Sequence, residues 1–85
     1  MGAETIDATD VEPDDVLDVQ GKNCPIPVIQ TKKRIDEMEP GAILEIRATD
    51  PGAEKDIPSW ADRTGNELVG VATDGDVIKL YVRKV

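Results

Sequence analysis

Cys24 is the side chain in this sequence with the clearest nucleophilic chemistry. It stands in the run Asn23-Cys24-Pro25-Ile26-Pro27. The chain has no His, so neither a Ser-His-Asp triad nor a Cys-His pair can activate a nucleophile. One Cys without His cannot build a zinc site. A single Cys also cannot close an intramolecular disulfide, which excludes a disulfide-stapled secreted mini-domain. The chemistry left is that of one thiolate.

The residues around Cys24 set how reactive that thiolate can be. Pro25 reads as the first residue of a helix, where the missing N–H costs nothing. Pro25 and Pro27 together stiffen the first turn and hold the thiol on a rigid corner. The positive end of the helix dipole favours the thiolate by about 0.3–1 kcal/mol. At about 1.4 kcal/mol per pKa unit, that is a fraction of a unit. Lys22 adds to the effect. Pro27 takes away one N–H that could face the sulfur, and the acids upstream act against ionisation. The expectation is a moderately reactive thiol, suited to a carrier loaded by a dedicated donor enzyme. The competing reading is a buried structural Cys. Such a residue would fall more naturally on the apolar stripe of the helix, which Cys24 precedes.

The elements that must position this residue follow from periodicity and breakers. Asp15–Gln20 reads as a first strand, ended by Gly21. A helix from Pro25 to about Glu39 carries Val28, Thr31, Ile35 and Met38 on one face, and Pro40-Gly41 ends it. Ala42–Ala48 reads as a second strand. Asp50-Pro51 is a further helix-start signal, with Asp50 as N-cap. Pro58 interrupts that segment, so the expectation is a turn followed by a helix from about Pro58 to Thr64, with Gly65 at its C′ position. Leu68–Thr73 and Val77–Val85 are β-rich runs around Asp74-Gly75, a hairpin signal in which both turn positions tolerate positive φ. In the last run Ile78, Leu80 and Val82 share one face, and Lys79, Tyr81 and Arg83 the other. The order β-α-β-α-β-β, with a right-handed first crossover, implies a two-layer α/β sandwich: a four-stranded mixed sheet with both helices on one face.

The chain has 85 residues, enough for one small domain. Its formal charge is −8, and the charge is unevenly spread. Residues 1–20 hold seven acids and no base, for −7; the rest holds eleven acids and all ten bases, for −1. Residues 1–14 read as an acidic, disordered arm and residues 15–85 as the folded domain. Solubility is the simplest role for the arm; adaptation to high salt and partner choice are the others. The acidic balance disfavours direct nucleic-acid binding. The first twenty residues have no signal-peptide pattern, and no apolar run could span a bilayer. A cytoplasmic monomer without membrane contact is the expectation.

The run Leu17-Asp18, Gly21, Cys24-Pro25-Ile26-Pro27 and Thr31-Lys32-Lys33 resembles the signature of the TusA/SirA-like sulfur-carrier family. The later run Gly41, Leu44, Ile46, Thr49-Asp50-Pro51, Asp56-Ile57-Pro58, Trp60 and Gly65 is similar to that family's second half. Lys22 departs from the pattern, since a leucine often follows the glycine there, and the acidic arm lies outside it. The resemblance implies that a cysteine desulfurase or rhodanese-like donor loads Cys24 with sulfur as a persulfide, and that Cys24 passes it to an acceptor protein. It also implies service to tRNA thiolation, molybdenum-cofactor assembly or sulfur metabolism. Sulfur transfer needs a thiolate on an accessible corner and neither metal nor bound cofactor, and none is expected. The protein would act with partner enzymes rather than as an independent enzyme. Two alternatives stand beside this: a non-catalytic regulatory or adaptor module on the same scaffold, and a thiol redox enzyme, which would need an external resolving thiol.

Other candidates have two readings each. Ile26, Ile29 and Lys33 lie on the helix face away from the core stripe. With Lys22 they are either a docking patch for partners or apolar residues half-covered by a loop. Lys32, Lys33 and Arg34 read as a solvated face favourable to the helix C-terminus, or as a charge-guided contact. Asp50 is an N-cap, or, because it follows the second strand, a residue near the thiol. Trp60 reads as core rather than interface.

Overall fold

The structure is a computed structural model that describes residues 12–23 and 26–85. The elements are β1 (Asp15–Val19), α1 (Ile26–Asp36), β2 (Ile43–Ala48), α2 (Ala53–Thr64), β3 (Glu67–Asp74) and β4 (Val77–Arg83). The sheet order is β1-β2-β4-β3. β1 and β2 are parallel, and β4 runs antiparallel to both β2 and β3. β2 and β3 therefore point the same way with β4 between them. The crossovers β1-α1-β2 and β2-α2-β3 advance in the same direction across the sheet. With one handedness, they must place both helices on the same face.

The register carries that through to the core. Leu17, Ile46 and Leu80 are aligned across β1, β2 and β4, and Val19, Ala48 and Ile78 form the next row. Leu44 pairs with Val82, which pairs with Leu68. These residues pack with Ile35 of α1 and with Ala53, Ile57, Trp60 and Ala61 of α2. Thr31 is fully buried in α1, and its hydroxyl donates to the Pro27 carbonyl at 2.7 Å, so the polar group enters the core satisfied. Pro27 is the second helical residue, where an N–H would have no intrahelical acceptor.

The elements depart from the sequence expectations at several ends. α1 stops at Asp36 rather than near Glu39. Glu37 N and Met38 N bond three residues back, to the carbonyls of Arg34 and Ile35, which tightens the last turn. Glu39 precedes Pro40, and a residue before proline is pushed out of the helical region. The Lys84 ammonium, just past β4, donates to the Ile35 carbonyl at 3.0 Å and to that of Asp36 at 3.4 Å, capping the helix through a contact that no local sequence signal announces.

α2 is the larger correction. It is one helix over Ala53–Thr64 with Pro58 inside it, not a turn followed by a helix from Pro58. Pro58 is its sixth residue, so the lost N–H removes a single bond, the one to the Glu54 carbonyl. An interior proline costs about 3 kcal/mol. Ile57 and Trp60, both buried from the same stripe, contribute about 1.5–3 kcal/mol each. Burial wins. The N-cap is Gly52, not Asp50, whose backbone carbonyl accepts from Ala53 N at 3.0 Å. Gly65 caps the C-terminus with φ 82° as expected.

The hairpin is shifted by one position. Asp74 pairs with Val77, which leaves Gly75-Asp76 as the loop, and only Gly75 has positive φ, at 62°. That is the pattern of a type II′ turn, with Gly first, instead of two left-handed residues. Asp14, read from sequence as part of the arm, is tied to Ile43: its N–H donates to the Ile43 carbonyl and its carboxylate accepts the Ile43 N–H, both at 2.8 Å. Residues 1–11 lie outside the described residues.

The face of the sheet away from the helices carries a polar cluster. Glu45 and Tyr81 are register partners on β2 and β4. Both are buried, at 5% and 6% exposure. The Tyr81 hydroxyl donates to Glu45 Oε1 at 2.8 Å, and Arg47 Nε donates to Glu45 Oε2. Burial pushes the Glu45 carboxyl up, but the hydrogen bonds from Arg47 and Tyr81 outweigh it and hold the pKa below the ordinary 4.5. Burial and the Glu45 carboxylate push the Tyr81 hydroxyl up to about 12.

Two predictions follow from this cluster. Tyr81 is the single Tyr, so the phenolate absorbance of the folded protein should titrate near 12. In Glu45→Gln the midpoint should fall but stay above the ordinary 10, since burial, the first cause, remains; an unshifted midpoint in that variant means Glu45 does not act on Tyr81. Because the folded Glu45 pKa lies below the unfolded one, its stabilisation is complete above pH 4.5 and is lost as pH falls through the folded value. Denaturant unfolding followed by the single Trp should therefore show a shallower loss of stability below that pH in Glu45→Gln than in wild type.

Candidate functional site

Cys24 and Pro25 lie outside the described residues, and the site is defined by the chain on either side. β1 ends at Val19 and turns at once. Lys22 N donates to the Val19 carbonyl at 3.1 Å, and Gly21, the third residue of this turn, has φ 80°. Gln20 has negative φ, so the pattern is that of a type II turn, in which the third position needs a left-handed residue and glycine supplies it. The Asp18 carboxylate accepts the Gln20 N–H at 3.0 Å from the strand below. On the far side, Ile26 N donates to the Asn23 carbonyl at 3.0 Å, so the residues flanking Cys24 and Pro25 are bonded to each other.

The second support comes from the neighbouring loop. Parallel pairing ends at Val19 and Ala48, so the loops after β1 and β2 leave the sheet side by side. Thr49 Oγ1 accepts the Gly21 N–H at 2.9 Å. Asp50 is the next residue, half-buried, and its carbonyl starts α2. Asp50, expected near the thiol, stands on this loop, and one position before it Thr49 reaches the Cys24 loop with its side chain. Its only signal in the sequence was its place in the Thr-Asp-Pro run. No spacing rule connects residues 28 positions apart before the strand register is known.

The surface beside the site belongs to α1. Ile26 and Ile29 are exposed, at 42% and 47%, and Lys33 continues their strip on the outer face of the helix. Lys22 is exposed in the loop between β1 and α1. Lys32 is paired with Asp36 at 2.8 Å, and Arg34 with Asp15 of β1 at 2.6 Å. Those hydrogen bonds hold the Asp36 and Asp15 carboxyls below the usual carboxylate range. Of the three bases on α1, Lys33 has no ion pair among the described residues. Pro27 is buried against the core and fixes the start of the helix. Trp60 is core, as expected. Among the described residues no group of Cys, Asp or Glu is arranged to hold a metal ion, and no helix is long and apolar enough to cross a membrane.

The arrangement is a cysteine-bearing loop at the C-terminal edge of two parallel strands, braced by the next loop and flanked by an apolar strip with two lysines. The chain as a whole is similar to known proteins. The family model described as Sulfurtransferase TusA matches residues 15–84. A protein of Halobacterium salinarum named "Putative sulfur carrier protein" is 47% identical over 78 residues, covering 91% of this chain and 96% of its own. The sulfur carrier protein TusA of Allochromatium vinosum is 39% identical over 71 residues, covering 84% and 93%. The crystal structure of a SirA-like protein from Desulfitobacterium hafniense superposes with a TM-score of 0.74 at 25% identity, covering 81% of this chain and 95% of that one. With the family pattern running from the first strand to the end of the last, the chain belongs to the TusA sulfurtransferase family of sulfur carriers.

Proposed function

We propose that this protein relays sulfur as a persulfide on Cys24. A cysteine desulfurase or rhodanese-like donor presents a persulfide. The Cys24 thiolate attacks its terminal sulfur, the donor S–S bond breaks, and the donor leaves as a thiolate while Cys24 becomes a persulfide. An acceptor thiolate then attacks the terminal sulfur of Cys24 and regenerates the Cys24 thiolate. The sulfane sulfur moves without net oxidation, so no redox cofactor enters either step. The observation that carries the reading is Cys24 within Cys-Pro-Ile-Pro, in a chain matched over residues 15–84 by the TusA family model.

Each residue around Cys24 has a defined part. Pro25 and Pro27 hold the helix start rigid, so the thiol meets partners without first losing chain entropy. Ile26 and Ile29 give partners an apolar contact, and Lys22 and Lys33 orient acidic surfaces toward it. Asp50, on the adjoining loop, starts α2 beside the site. The domain from residue 15 onward has thirteen acids against ten bases, a charge of −3, so a tRNA-thiolation route is served through protein acceptors and not by direct binding. Molybdenum-cofactor assembly and sulfur metabolism are the other outlets of such a relay. The protein works as a monomer in the cytoplasm, where the thiol stays reduced.

Incubation with a cysteine desulfurase, pyridoxal phosphate and cysteine should add the mass of one sulfur atom to the intact protein. Cys24→Ser should show no adduct. Retention of function by Cys24→Ser in a complementation assay would instead establish the adaptor reading. The docking strip has its own test. Ile29→Asp should slow loading from the donor protein while leaving alkylation of Cys24 by iodoacetamide unchanged, because a small reagent needs no docking. Equal effects on both reactions would remove Ile29 from the partner surface.

A further inference from the structure

We infer that Thr49 is a positioning residue for Cys24, acting through the Gly21 peptide. The inference rests on the persulfide-relay reading for its biological meaning, but the geometry behind it is independent of sulfur transfer. Type I and type II turns share their first and last residues. They differ by rotation of the central peptide, which turns the N–H of the third residue from one side of the turn to the other. Here that peptide joins Gln20 to Gly21, and its N–H is held by Thr49 Oγ1 at 2.9 Å. The hydroxyl therefore does more than tie two loops together. It selects the peptide orientation that goes with φ 80° at Gly21.

The consequence falls three residues downstream. The turn hands the chain to Lys22 and Asn23, the residues before Cys24, and its central peptide sets the direction in which those two leave the sheet. Two other bonds hold the turn, Gln20 N–H to Asp18 and Lys22 N–H to Val19, but neither fixes the central peptide. The Lys22-to-Val19 bond is common to both turn types. Among the described residues, the side chain that accepts the Gly21 amide is Thr49. The residue doing this sits at the entry to the β2–α2 loop, next to Asp50 and the N-terminus of α2. A partner that moves this loop thereby moves the approach to Cys24.

The test reads Cys24 itself, by iodoacetamide alkylation across a pH series on the reduced full chain, with no donor protein present. Thr49→Val keeps the shape of the side chain and removes the acceptor. It should slow alkylation by roughly three- to ten-fold, the span of one ordinary hydrogen bond, and should move the midpoint of the pH profile. Thr49→Ser keeps the hydroxyl and should restore both. Gly21→Ala attacks the same peptide from the other side. Its added Cβ meets open space, so its cost is the strained φ alone, and it should reproduce the Thr49→Val profile. The double variant should show little further change, since both substitutions break one element. Trp60 fluorescence checks that each variant is folded. A folded Thr49→Val with the wild-type rate and midpoint overturns the inference, as does a loss in Thr49→Ser equal to that in Thr49→Val. If Thr49→Val does not fold, a wild-type profile in Gly21→Ala overturns it. Absence of any persulfide on wild-type Cys24 would strike the relay reading and leave these alkylation results standing.

Discussion

One-sided burial governs this molecule. Among the described residues, two helices cover one face of a four-stranded sheet and no element covers the other. The buried apolar residues of β1, β2 and β4 therefore alternate in phase, and the register that aligns Leu17 with Ile46 and Leu80 puts them on the helical side. The open side has to hold together by other means. Glu45, Arg47 and Tyr81 do this by satisfying one another, so that a carboxylate and a phenol sit out of solvent without an unpaired polar group. The two faces follow different physics on the same backbone.

The same constraint places the site. Both crossovers begin at the C-terminal ends of parallel strands, so both loops open at one edge of the sheet, and ligand or reaction centres in α/β sheets gather at such edges. The Cys24 loop and the loop carrying Thr49 and Asp50 are neighbours because β1 and β2 are paired in parallel and end together. The strip of Ile26, Ile29 and Lys33 lies outside because Thr31 and Ile35, set apart from it by the helical period, face the core. Partner surface and thiol are joined by one helix.

Much of this could be read from the residues. Period-2 runs located the strands, the stripe of α1 was right in its centre, and Gly65 marked the end of α2. What failed had a physical cause in each case. Pro58 was read as a helix breaker because local propensity was weighed without the burial of Ile57 and Trp60 that overrides it. Asp50 was read as a cap because Asp-Pro is a local signal, while the cap position was set by where α2 must begin to seat Ala53. The hairpin slid by one residue because Asp74-Gly75 and Gly75-Asp76 are both good turn pairs, and the choice between them is made by pairing across the strands. Tyr81 was placed on the correct face, but its burial depends on Glu45, a residue 36 positions away. Thr49 was hidden for the same reason. Local chemistry names candidates; long-range register decides which of them meet.

The position of β4 carries a kinetic consequence. It is the last of the six elements in sequence and yet lies inside the sheet, between β2 and β3. Without it, β3 has no strand to pair with, and the pair β1-β2 has an open inner edge. Lys84, just beyond β4, also supplies the donor that closes α1. No shorter run of elements is therefore a smaller version of the domain. Its folding has to be all-or-none, with the sheet completed by its most distant contacts, and a chain cut before Val77 would expose pairing edges of the kind that drive aggregation.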